Sequence, residues 1–177
     1  MSFNPSLMDM AIQLAHLSEP SPSAYCVGAV LSKGDIVLAT GYSRELPGNT
    51  HAEECALIKF GGSCVGADMY TTMEPCSTRT SGRPPCVEHI IRAQIGRVYV
   101  GAMEPANFVN CIGVSILQDA GIEVIVVEGF HLRCLEPNSH VLAALNLPVR
   151  AFDVANRPAF GVHIACAPAE MTSSSEM

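Results

Sequence analysis

The sequence predicts an α/β fold, a three-layer α/β/α sandwich around a central mixed sheet of about five strands. Three observations predict it. Short β-prone runs alternate with helix-period segments after an opening hairpin, the pattern of a layered α/β domain. The 177 residues are 49% hydrophobic, which is enough for one compact domain with a real core. No repeat and no linker long enough to divide two domains interrupts the chain, so residues 1–165 are expected to form a single domain. Residues 166–177, ending in "MTSSSEM", are expected to be a short, flexible polar tail.

The elements follow in order. "SLMDMAIQLAHLSE" (6–19) carries Leu7, Ala11, Leu14, Ala15 and Leu17 at helical spacing. "YCVGAVLS" and "DIVLATGYS" are β-prone runs joined by "KG", a hairpin signal. "THAEECALIKF" (50–60) reads as a helix that stops at Gly61-Gly62. "DMYTTM" (68–73) is a strand, and "CVEHIIRAQ" (86–94) is a helix started by Pro84-Pro85. "RVYVGAM" (97–103) is a strand, "CIGVSILQDAG" (111–121) a helix and "EVIVVEG" (123–129) a strand. "RCLEPNSHVLAALN" (133–146) reads as a last helix broken early by Pro137.

Composition narrows the function. Ten Lys+Arg against seventeen Asp+Glu argue against a nucleic acid as the main partner. No apolar run reaches the roughly 18 residues that span a bilayer. The N-terminus shows no cationic segment followed by an apolar one, so a cytoplasmic protein is expected. In a reducing compartment six of the eight cysteines read as small buried hydrophobes, Cys76 and Cys86 being the exceptions.

Those two, each preceded by proline, bracket nine residues containing Thr78, Arg79, Thr80, Ser81, Gly82 and Arg83. Two thiolates and one histidine would hold Zn²⁺ with a fourth position open. Both cysteines read as lying near helix starts, where the helix dipole favours thiolate. His51 is the third candidate, because it alone of six histidines is followed two residues later by glutamate. Zinc lowers the pKa of bound water to about 7, and Glu53 would carry the proton as base and then acid. Alternatives stay open at this point. Thr50 and Glu53 also fit a capping box, with Thr50 as the cap. Cys55, one helical turn after His51, would close a four-ligand structural site with no place for water.

His-x-Glu followed by Pro-Cys and a second Cys resembles the zinc deaminases of bases. The long gap resembles the riboflavin-pathway diaminopyrimidine deaminases, and "TTMEPCSTRTSGRPPCVEHI", "GYSRELPGNTHAEECAL" and "YCVGAVL" are similar to their fungal branch. The resemblance covers roughly residues 22–129. It implies a cytidine-deaminase-like fold, His51, Cys76 and Cys86 as zinc ligands, Glu53 as proton shuttle, and Cys55 as no ligand. The reaction it implies replaces the 2-amino group of 2,5-diamino-6-ribitylamino-4(3H)-pyrimidinone 5′-phosphate with oxygen and releases ammonia. The chain departs from bacterial members at "EPANFVN" (104–110), where Ala106 stands in place of an asparagine.

On that reading the phosphate falls to Arg79, Arg83, Thr80 and Ser81, against a solvated loop as the plain alternative. Arg44 is a second phosphate candidate or a surface arginine. Asn49 would bond sugar chain or ring, or serve only as a turn residue. The backbone N–H of Ala52 or of Cys76 is an oxyanion donor candidate. A homodimer is expected. The rivals are a deaminase of another base, nucleoside or nucleotide, an RNA-editing enzyme, and a zinc-stabilised module without turnover.

Overall fold

The computed structural model describes residues 2–105, 111–144 and 163–165. Helix α1 (Pro5–Ala15) leads into strands β1 (Gly28–Lys33) and β2 (Ile36–Tyr42). Helix α2 (Ala52–Phe60), strand β3 (Asp68–Thr71), helix α3 (Cys86–Arg92) and strand β4 (Arg97–Val100) follow. Helix α4 (Gly113–Asp119) and strand β5 (Glu123–Val127) precede α5 (His131–Leu135), a 3₁₀ turn at Glu136–Asn138, α6 (Ser139–Ala144) and β6 (His163–Ala165). The predicted break at Pro137 is therefore a short 3₁₀ step between two helices. The expected tail at 166–177 and the segment around Ala106 lie outside the described residues.

The sheet has six strands in the order β2-β1-β3-β4-β5-β6, one more than the sequence predicts. The addition is β6, which pairs parallel with β5 as Ile125↔His163 to Val127↔Ala165. Strand β1 runs antiparallel to both β2 and β3, while β3, β4 and β5 are parallel. Parallel strands need crossovers, and α3 and α4 supply them.

Alternation along each strand separates two apolar layers. On one face Val30, Tyr70, Tyr99, Ile125 and Val127 pack on Leu7, Met8 and Ile12 of α1 and on Leu135 and Leu142. On the other, Leu31, Met69, Val98, Val100 and Val124 pack on Ala52, Ala56, Val87, Ile90 and Leu117 of α2, α3 and α4. Every residue of β3 is buried, as expected for a central strand covered on both faces. One close approach sets where the site lies. A Cβ at Gly41 in β2 would sit 2.1 Å from the Ala52 carbonyl oxygen, so only glycine lets α2 rest this near the sheet. The start of α2 is thereby fixed at the carboxyl end of β3, where β1 is antiparallel and β4 parallel to it. Such switch points are where open α/β sheets bind ligands.

A candidate zinc-dependent active site

His51 caps α2 in extended backbone, with φ −93° and ψ 163°. That conformation turns its ring away from the helix and towards two sulfurs. His51 Nδ1 lies 3.5 Å from Cys76 Sγ and 3.4 Å from Cys86 Sγ. The three donor atoms all lie within 4.8 Å of one another. Cys86 opens α3. Cys76 is not at a helix start, contrary to the sequence expectation, but its sulfur accepts the Cys86 backbone N–H at 3.2 Å. A hydrogen bond from the Cys86 thiol lowers the Cys76 pKa and raises that of Cys86. The pair releases one proton readily, and a divalent cation would draw off the other. One imidazole and two thiols converging on one point, with one thiol already acidic, are a donor set suited to Zn²⁺.

Glu53 points into the same place. It is almost fully buried, its Oε2 lies 3.2 Å from Cys86 Sγ, and its Oε1 accepts from the Thr71 hydroxyl at 2.8 Å. Burial raises its pKa first and the charge of Cys76 adds to that, while the Thr71 bond opposes the rise. A carboxyl that holds a proton more tightly than usual is suited to carrying one.

The capping box predicted for Thr50 and Glu53 is displaced by one residue. His51 is the cap, and Glu54 at the third helical position accepts the His51 N–H at 3.3 Å. Thr50 instead donates to the Leu46 carbonyl at 2.8 Å and accepts from the Cys55 thiol at 3.1 Å. The shift frees Glu53 from capping. It also removes Cys55 from the centre, and the metal-holding group found among the described residues contains His51, Cys76 and Cys86 alone.

Glu54, next in sequence, does other work. Its carboxylate is paired with Arg79 at 2.8 Å and with Arg83 at 2.5 Å. Burial would raise this carboxyl, but hydrogen bonds from both arginines and from His51 hold it at about 2. Arg79 also donates to the Asn49 carbonyl at 2.5 Å, and Arg83 to the Gly48 carbonyl at 2.9 Å. The loop between the cysteines is thus tied down, unlike a solvated segment.

An open cavity joins these groups. Its wall includes His51, Glu53, Cys76 and Cys86, with Arg44, Asn49, Arg79, Thr80 and Ser81 from the predicted set. Arg83 and Ala52 stand outside that lining. Arg44 and Asn49 hold φ of 65° and 55°, left-handed backbone that is uncommon away from glycine and recurs at functional sites. Arg44 donates to the Tyr25 and Glu19 carbonyls, so its guanidinium also secures the opposite wall.

Sequence reasoning missed two buried carboxylates, a half-buried one and a hydroxyl. Glu54 was visible only as the second acid of "HAEEC". Thr71 was visible as a polar residue in a run otherwise suited to full burial. Glu74 accepts the Val114 N–H at 3.0 Å and so links the chain just before Cys76 to α4. Glu104 lines the cavity, and burial lifts its pKa to about 7 despite a hydrogen bond from Cys111.

Comparison with known proteins agrees with this geometry. Residues 1–102 match the family model of the cytidine and deoxycytidylate deaminase zinc-binding region. The diaminohydroxyphosphoribosylamino-pyrimidine deaminase of Schizosaccharomyces pombe is 48% identical over 130 residues, 71% of this chain and 32% of that protein. The chain spans about a third of the length of the curated relatives it matches. Among solved structures, an Aspergillus oryzae Rib2 deaminase C-terminal deletion mutant in complex with DARIPP is 32% identical with a TM-score of 0.68, covering 80% of this chain and 97% of that one. Acinetobacter baumannii RibD is 35% identical at TM-score 0.68, covering 78% of this chain and 38% of that one. The chain therefore belongs to the cytidine and deoxycytidylate deaminase zinc-binding family, on the branch that holds the Rib2 and RibD deaminases.

Proposed function

We propose that this chain is a zinc-dependent hydrolytic deaminase that removes the 2-amino group of 2,5-diamino-6-ribitylamino-4(3H)-pyrimidinone 5′-phosphate. The observation that carries the proposal is Glu53, buried with one oxygen 3.2 Å from Cys86 Sγ and the other on Thr71, beside three convergent donors. A structural metal site has no need of a buried carboxyl beside its donors. The names of the Schizosaccharomyces pombe and Aspergillus oryzae relatives support the substrate class.

His51 Nδ1, Cys76 Sγ and Cys86 Sγ would hold the zinc, which supplies a Lewis acid and lowers the pKa of water when bound. Glu53 takes a proton from the attacking water as oxygen bonds to the ring carbon that carries the amino group. It delivers that proton to the adjacent ring nitrogen. The remaining hydroxyl proton passes through Glu53 to the amine, the carbon–nitrogen bond breaks, and ammonia leaves behind a ring carbonyl. Thr71 orients Glu53 by holding Oε1, so that Oε2 faces the reaction. Asn49 and Arg44 present polar groups on the wall for the ring and sugar chain, and the exposed Thr80 and Ser81 offer hydroxyls to the phosphate end. A homodimer belongs to the same proposal and is measured by sedimentation.

The test is Glu53→Gln. General acid–base catalysis contributes about 10²–10⁴-fold, so ammonia release should fall by that range while bound zinc stays at one per chain. Wild-type turnover in the variant overturns the assignment. Assaying cytidine, cytosine, guanine and the ribosyl analogue alongside tests the substrate, and a preference for any of them refutes the ribityl choice.

A further inference from the structure

We propose that Arg79 and Glu54 form a buried brace that fixes the spacing of the three zinc ligands, and that Arg79 is a positioning residue and no ligand for the substrate's phosphate. The inference rests on reading His51, Cys76 and Cys86 as the zinc site.

The three donors come from two stretches of chain, one ending at His51 and one running from Cys76 to Cys86. Helix α2 and strand β3 lie between them in sequence, and no covalent link sets the gap. The Arg79 guanidinium spans it. One terminal nitrogen donates to Glu54 at 2.8 Å and to the Pro84 carbonyl at 3.3 Å. The other donates to the Asn49 carbonyl at 2.5 Å. Asn49 stands two residues before His51, Pro84 two before Cys86, and Arg79 three after Cys76. Glu54 completes the span by accepting the His51 N–H at 3.3 Å. A single planar fork thus reaches within three residues of every ligand.

Burial separates this arrangement from a surface ion pair. The Arg79 and Glu54 side chains are 2% and 3% exposed. Breaking a buried pair leaves an uncompensated charge, so neither partner is free to turn to a ligand. Phosphate is recognised best by a two-donor fork, and three of the five N–H donors of Arg79 are already spent on protein acceptors. The remaining donors sit on a side chain that is 2% exposed, its Nε buried without a hydrogen-bond partner. The Glu54 carboxylate would also repel a phosphate brought to the same guanidinium. Arg83 reinforces the brace from outside, on the other carboxylate oxygen, with 39% of its side chain exposed.

The experiment measures Zn²⁺ affinity by competition with a chromophoric chelator in Arg79→Lys, Arg79→Met and Glu54→Gln. Lysine keeps the charge but cannot bridge several acceptors as a rigid fork. Supporting residues of metal sites cost about 10–100-fold in affinity when lost, and that fall is expected in all three variants. Asn138→Ala, destabilised at a point remote from the ligands, should bind zinc within about twofold of wild type and so separates bracing from general stability. In the Co²⁺-loaded Arg79→Lys protein the visible bands of tetrahedral cobalt should weaken. Its KM for the phosphorylated substrate at saturating zinc should stay within about twofold. Wild-type zinc affinity in Arg79→Lys overturns the brace, most plainly if KM rises tenfold, which would make Arg79 an anion ligand. If Arg79→Met does not fold, Arg79→Lys and Glu54→Gln decide. A wild-type chain that takes up no zinc overturns the metal reading itself, whereas zinc-binding wild type with unchanged variants overturns the brace alone.

Discussion

Gly113→Ala is a one-carbon change that tests how Cys76 is held. Gly113 begins α4 and faces the carbonyl of Pro75, the residue before the ligand. A Cβ built there lies 1.8 Å from the Pro75 oxygen and 3.0 Å from its carbonyl carbon. Carbon and oxygen without a bond rest at about 3.3 Å or more, so roughly 1.5 Å must be opened. Neither side yields easily. The Glu74 N–H is bonded to the Ala102 carbonyl at 2.8 Å, and its carboxylate holds the Val114 N–H at 3.0 Å. The strain must move α4 or move Cys76. Overpacking costs about 1–3 kcal/mol, and metal–ligand distances tolerate only about ±0.2 Å. We expect a loss of about 2 kcal/mol in urea unfolding of the metal-free protein. Zinc binding in a competition titration should weaken tenfold or more. Gly121→Ala is the control. Nothing lies within 4 Å of its built Cβ, but its φ is +81°. It should lose about 1–2 kcal/mol to backbone strain with zinc affinity intact. A Gly113→Ala protein as stable and as tight for zinc as wild type would refute the packing argument.

Thr71→Val removes the hydroxyl that meets Glu53 at 2.8 Å and changes little else in shape. A hydrogen bond to a charged group contributes about 1.5–3 kcal/mol, so kcat for ammonia release should drop about 10–100-fold with zinc retained, and an unchanged kcat would show that Glu53 orients itself. Asn138 is fully buried, accepting the Cys26 N–H at 2.6 Å and donating to the Cys26 carbonyl at 3.0 Å. Asn138→Ala strands both backbone groups and should cost about 2–4 kcal/mol in urea unfolding; a loss below 1 kcal/mol would contradict it. Glu54 is held at about 2, below its ordinary 4.5, so it stabilises the folded chain fully above pH 4.5. That contribution, on the order of 3 kcal/mol, is lost as pH falls towards 2. Urea unfolding of the metal-free protein across that window should show a steeper decline in wild type than in Glu54→Gln, and equal slopes would remove Glu54 as the source.

Local pattern determined much of this protein by itself. Short β-prone runs specified β3 to β5, and β4 and β5 read as nearly continuous apolar segments because central strands are covered on both faces. Pro84-Pro85 and Gly61 marked helix ends through backbone sterics that act within a few residues. Pro137 split the last helix where its ring cannot continue one. The convergent donors His51, Cys76 and Cys86 were legible as a candidate metal-holding group from residue chemistry and order alone. Only the tertiary structure decided which of two adjacent acids faces the three donors and which binds arginine. Glu53 and Glu54 are alike in sequence, but the helix turns them about 100° apart, one towards Thr71 and Cys86 and the other towards Arg79 and Arg83. The same holds for Cys55, which shares a helix face with His51 by spacing yet meets Thr50, and for β6, three residues whose pairing depends on β5. The contacts of Glu53, Glu54 and β6 rest on partners 18 to 38 positions away, and periodicity carries no information about contacts at that distance.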